Sequence, residues 1–148
     1  MNFEKLLAEK KIERVEKTDI NLKLAEKDIE FAKKGLATGN YSRVMSVAYE
    51  GVLRASIHLM NFFGYRAIGK EHHKNIFEFL RVLDFDDILI NYFDYIRKKR
   101  NDFIYRDVDI ISKNEAEEII IKAEKFVQEI RTFVQKNRTK FSGNKNGV

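Results

Sequence analysis

The sequence predicts an all-α fold, an up-and-down bundle of four to five helices, on three observations. Proline is absent and only seven glycines punctuate 148 residues, so little in the chain interrupts a helix. Strong helix formers dominate the long segments, and the apolar residues there recur at spacings of three and four. No stretch carries the alternation of a strand, and no internal repeat is present. At 44% hydrophobic and 34% charged residues the chain can bury a core, and its length suits a single domain. That domain is drawn over residues 1–136, leaving the polar, glycine-bearing tail 137–148 as disordered.

Taken in order, Met1 to Lys17 reads as a short charged helix with Phe3, Leu6 and Leu7, then an extended or helical piece holding Ile12 and Val15. Thr18 and Asp19 are N-cap candidates for a helix with Leu22, Ala25, Ile29, Ala32 and Leu36 on one stripe. Gly39 and Asn40 end it, since both tolerate the left-handed conformation. From Tyr41 to Phe63 apolar residues fall on most sides, which predicts a central helix, and Ala48, Gly51, Ala55 and Ser56 let neighbours approach closely. The connection "GYRAIGKEHH" leads to a short helix with Ile76, Phe77, Leu80 and Leu83. Asp84, Asp86 or Asp87 can cap the next helix, whose Ile88, Leu89, Tyr92, Tyr95, Ile96 and Phe103 keep the helical period. Ser112 with Glu115 has capping-box spacing. After it Ala116, Ile119, Ala123, Phe126, Ile130 and Phe133 alternate three and four, a seam for antiparallel packing.

Composition restricts function. The absence of cysteine excludes disulfides, thiolate metal sites and a cysteine nucleophile. "MNFEKLLAEKKIERVEK" has charges every two or three residues, so neither a signal peptide nor a membrane span is predicted, and the expectation is a cytoplasmic protein. Neither cofactor nor metal is implied: "HH" lacks a nearby third ligand, and the glycines lack the strand-to-helix context of phosphate-binding loops. The net charge of +5 favours an acidic partner only modestly.

The strongest chemical signal is "RKKRNDFIYR", Arg97 to Arg106, with five cations against one acidic residue. Such charge at a helix C-terminus complements the exposed carbonyls. Arg97 and Arg100, one turn apart, can equally clamp a phosphate, with Lys98 and Arg106 adding charge and Tyr105 a stacking face or hydroxyl. Arg100 and Tyr105 lie about 140° apart on an ideal helix, so they converge only if the helix ends near Phe103 or if two copies face each other. His58 reads as structural. His72 and His73 open a helix after a glycine loop, where an imidazole can reach a neighbouring face beside Arg100. The pairs Asp86 and Asp87, and Glu117 and Glu118, read as caps and solvated faces, and the aromatics from Tyr92 to Tyr105 as core or dimer surface.

From Leu6 to Val134 the chain resembles the HEPN family (higher eukaryotes and prokaryotes nucleotide-binding). The resemblance rests on "LLAEKKIERV", "AEKDIEFAKKGLATGNYSRVMSVAYEGVLRASIHLM", "GYRAIGKEHHKN" and "RKKRNDFIY", in that order and spacing. It implies a HEPN-like bundle acting as a homodimer in a toxin-antitoxin-like or defence system, with RNA or a nucleotide as target and a minimal nucleotidyltransferase as partner. Catalytic members, metal-independent endoribonucleases, use an Arg, often followed by Asn, then a His. Here Arg100 and Asn101 match, and Tyr105 stands at the His position. A phenol with an ordinary pKa near 10 is a poor general base near neutrality, though it can donate a hydrogen bond to a phosphate. In some family pairs the partner adds nucleotides to a tyrosine near this motif. The resemblance therefore implies Arg100, Asn101 and Tyr105 as catalytic candidates, with Arg97, Lys98, Arg100, Arg106, His72 and His73 for binding. The alternative is a non-catalytic nucleotide-binding or partner-binding homodimer in which Tyr105 has abolished cleavage.

Overall fold

The computed structural model describes residues 2–146, with side chains through Arg138. The described residues form six helices and one short two-stranded sheet. In chain order these are α1 (Glu4–Ala8), β1 (Ile12–Arg14), α2 (Lys23–Gly35), a 3-10 turn (Leu36–Thr38), α3 (Tyr41–Phe63), β2 (Tyr65–Ala67), α4 (His72–Val82), α5 (Asp87–Arg106) and α6 (Lys113–Asn146).

The core gathers around α3. Its residues Met45, Ala48, Tyr49, Val52, Ala55 and Leu59 are all fully buried, the consequence of apolar side chains on most of its faces. Helices α2, α4, α5 and α6 all pack on it. The close approach of α2 requires a glycine: a Cβ on Gly51 would lie 3.0 Å from the Ala25 carbonyl oxygen and 3.0 Å from Ile29 Cγ1. On α6 the seam Ala116, Ile119, Ala123, Phe126 and Ile130 is buried, and Phe126 meets Phe85 and Phe93 with ring centroids at 4.9 and 5.4 Å.

Capping follows the sequence where the capping residue is adjacent to the helix. Asp86 accepts from the backbone N–H groups of Ile88 (2.9 Å) and Leu89 (3.3 Å) at the start of α5. Ser112 accepts from the Glu115 N–H at 3.2 Å. Gly39 adopts φ 76° and closes the turn after α2, whereas Asn40 keeps φ −89° as the residue before α3. Thr18 and Asp19 do not cap α2, which begins a turn later, at Lys23, behind an Asn21 side chain that accepts from the Lys23 N–H at 3.0 Å. Thr18 is held back because its own N–H donates to the Asn61 carbonyl at 3.2 Å, keeping the chain beside the end of α3.

The sheet departs from the purely helical expectation. β1 and β2 pair antiparallel, Ile12 opposite Ala67 and Arg14 opposite Tyr65. Three residues per strand are too few for a readable alternation, and the partners are distant in sequence. The pair fastens the N-terminal segment to the α3–α4 connection, with Arg66 ion-paired to Glu13 across it. Phe3 stacks on Phe79 (centroids 4.5 Å, planes 10° apart), which seats α1 against α4. α6 is continuous past residue 136 to Asn146, into the tail expected to be disordered, while the side chains beyond Arg138 and the whole of residues 147 and 148 lie outside the described residues.

Candidate functional site

Along α5 the buried seam runs Leu89, Phe93, Ile96, at spacings of four and three. The next seam position is Arg100. A guanidinium thus stands where packing asks for an apolar side chain, and a buried charge is costly unless it is paired. The pairing is incomplete. Arg100 Nη2 donates to Glu50 Oε1 at 2.8 Å, its Cζ lies 5.3 Å from the Tyr49 ring centroid, and its side chain is 14% exposed. The buried Arg100 Nε finds no hydrogen-bond partner among the described residues.

Around it residues of α5 itself and of two other helices, α3 and α4, converge. Arg97, one turn earlier, donates from Nε to Asp94 Oδ1 at 2.9 Å and is 17% exposed. From α3 comes Tyr49, fully buried, with its hydroxyl 3.4 Å from Nδ1 of His73, the second residue of α4. Burial drives the Tyr49 pKa well above the ordinary phenol value, against the opposing pull of Arg100 and Arg97, so the hydroxyl keeps its proton. The His73 pKa is pushed down to about 4 by burial first, then by His72, Arg100 and Arg97, so its imidazole is neutral at physiological pH. Asn101 is partly buried and, four residues after Arg97, shares that helix stripe.

The basic run is therefore divided. Arg97 and Arg100 turn inward. Lys99 crosses to α6, where Nζ lies 2.9 Å from Glu115 Oε2 and 5.1 Å from the Tyr95 ring centroid, and its pKa is raised by Tyr95 first and then by Glu115. Lys98 is exposed. Arg106, in the last turn, pairs loosely with Asp102 at 3.7 Å, which fits the helix-end role of a cation. Of the two other sequence candidates, His72 packs edge-on against His73 (centroids 4.4 Å) and contacts the Gly69 carbonyl oxygen at 3.2 Å.

Tyr105 stands apart. α5 runs unbroken through Arg106, so the helix does not end near Phe103 and one route to convergence with Arg100 is closed. The residue is 78% exposed.

Sequence reasoning did not single out Tyr49 as part of a site, nor Glu50 at all. Their signal was indirect: an arginine in an apolar seam demands a counter-charge and a ring from the helix it faces, and α3 supplies both at adjacent positions. Among the described residues no group of three or more His, Cys, Asp or Glu side chains is gathered as a metal site requires. Nor is any described helix long and apolar enough to cross a membrane.

The chain is 30% identical over 130 residues to a UPF0332 protein of Archaeoglobus fulgidus, a match that spans 84% of this chain and 100% of the relative. No family model matches it.

Proposed function

The chain belongs to the UPF0332 family, and for it we propose the role of a HEPN-type helical protein that holds RNA or a nucleotide through Arg100 and Asn101 in a homodimer. A toxin-antitoxin-like or defence system is the proposed setting, with a minimal nucleotidyltransferase as partner. One observation carries the reading: Arg100 occupies a core position with a buried Nε that nothing in the described chain satisfies. A group so placed is expensive for folding and is explained by a ligand that completes it. The sequence match of Arg100 and Asn101 to the family motif supports the same residue independently.

Binding is favoured over cleavage by two further facts. Tyr105 is solvent-exposed and about 140° around α5 from Arg100, so within one copy it cannot share a phosphate with it. Cleavage would need the Tyr105 of a second copy to reach across a dimer axis, or His73 to act as acid and base. In the binding reading Arg100 supplies a planar, permanently charged donor and Asn101 an orienting amide.

Binding of a short single-stranded RNA, followed by fluorescence anisotropy between roughly 50 and 200 mM salt, tests the proposal. Arg100→Ala is expected to weaken binding by about tenfold or more and to flatten the salt dependence by about one phosphate contact. Unchanged affinity in that variant, with the fold intact by circular dichroism, defeats the reading. Ribonuclease activity abolished by Arg100→Ala would promote the catalytic version.

A further inference from the structure

Resting on the reading above, we propose that the cluster of Tyr49, His73, Arg97 and Arg100 takes a terminal phosphate monoester, on an RNA end or a mononucleotide, in preference to an internal phosphodiester. The argument begins with charge. Two guanidiniums meet two carboxylates, Asp94 on Arg97 and Glu50 on Arg100, so the cluster as folded is close to neutral. Glu50 is tethered beside Arg100, and a tethered competitor acts at an effective concentration in the millimolar range. A phosphodiester carries a single negative charge, no more than the carboxylate it must displace. A monoester, with its second pKa near 6, arrives as a dianion with three terminal oxygens and can engage both guanidiniums at once.

Hydrogen bonding argues the same way. Glu50 reaches only Arg100 Nη2, whereas an oxyanion with several acceptors can use the fork formed by Nε and a terminal nitrogen. With Tyr49 protonated, its hydroxyl is assigned as donor to His73 Nδ1, which leaves the Nε2 hydrogen as a neutral donor toward an anion. Access adds a steric reason. Both arginine side chains are largely buried, at 17% and 14% exposure, so a chain terminus can enter where an internal linkage would bring a sugar on each side.

The experiment compares one short RNA sequence carrying a 5'-phosphate, a 3'-phosphate or hydroxyls at both ends, with a nucleoside 5'-monophosphate and inorganic phosphate as competitors. At least one phosphorylated RNA is expected to bind about tenfold tighter than the hydroxyl form, a gap equivalent to the extra charge-assisted hydrogen bonds. The end that gains identifies the RNA terminus, and competition by the mononucleotide alone identifies a free nucleotide as the source. Arg97→Gln or His73→Gln should erase the preference, and Glu50→Gln should strengthen all binding. Equal affinity for the three RNAs, still lost in Arg100→Ala, overturns the terminal-phosphate inference and leaves RNA binding standing. Absence of binding by every RNA and competitor overturns both.

Discussion

At the scale of single residues, His73 is the most informative group outside α5. It faces Tyr49, His72, Arg97 and Arg100, with Glu50 and Asp94 as the nearby carboxylates on the two arginines. Its folded-state pKa of about 4 lies below the ordinary 6.5, so between those values the unfolded chain binds the proton more readily. The stability that comes from the neutral imidazole is therefore complete above pH 6.5 and is lost as pH falls through the window to about 4. In thermal melts the wild type should lose more of its Tm between pH 7 and pH 4.5 than His73→Gln does. Parallel profiles would show that the imidazole is not held neutral. Arg100 teaches a different lesson at this scale. Its identity was legible as charge and as part of a motif, but its inward direction was not, because a basic run does not say which of its members continues an apolar seam until that seam is counted from Leu89.

At the scale of elements, α3 and its neighbours set the energetics. Gly51→Val should cost about 1–3 kcal/mol in chemical denaturation, because the added atoms meet a backbone carbonyl of α2 that cannot rotate away. Asp86→Ala removes a side chain that accepts from two backbone amides at the start of α5, and should cost about 1 kcal/mol. A variant at either position that melts like the wild type would contradict the corresponding contact. The helices themselves were readable from periodicity, and so were Gly39, Asp86 and the Ser112–Glu115 box, since each of these acts on residues within one turn. Misreadings arose where distant segments decide. Thr18 and Asp19 looked like caps, but Thr18 is held by the end of α3 and Asp19 pairs with Arg138 of α6, and the β1–β2 pair joins residues more than fifty positions apart through strands too short to carry a pattern.

At the scale of the whole molecule, the division of labour along α5 makes the proposed dimer testable without a structure of the assembly. If Arg100 of one copy works with Tyr105 of the other, neither Arg100→Ala nor Tyr105→Ala alone retains a complete site. Mixed dimers of the two variants contain one intact pair, so refolding them together should restore about a quarter of the wild-type sites, half of the dimers being mixed. Cleavage of a labelled RNA, the one activity that would need both residues, reads this directly. No recovery on mixing, with mixed dimers verified, would assign Tyr105 to another task. The candidate site was legible only in part: "RKKRN" was visible as a sequence signal, whereas Tyr49, Glu50 and His73 meet Arg100 only because α3 and α4 bring them there.

The unbroken course of α5 has a consequence for inheritance. Arg100 belongs to the packed interior and is fixed by its neighbours, while the phenol at position 105 protrudes into solvent on another flank of the same rod. Replacement or chemical decoration at 105 leaves the interior untouched. The two properties are separable, so relatives can keep the interior arginine while exchanging the protruding group, and such changes leave the fold in place.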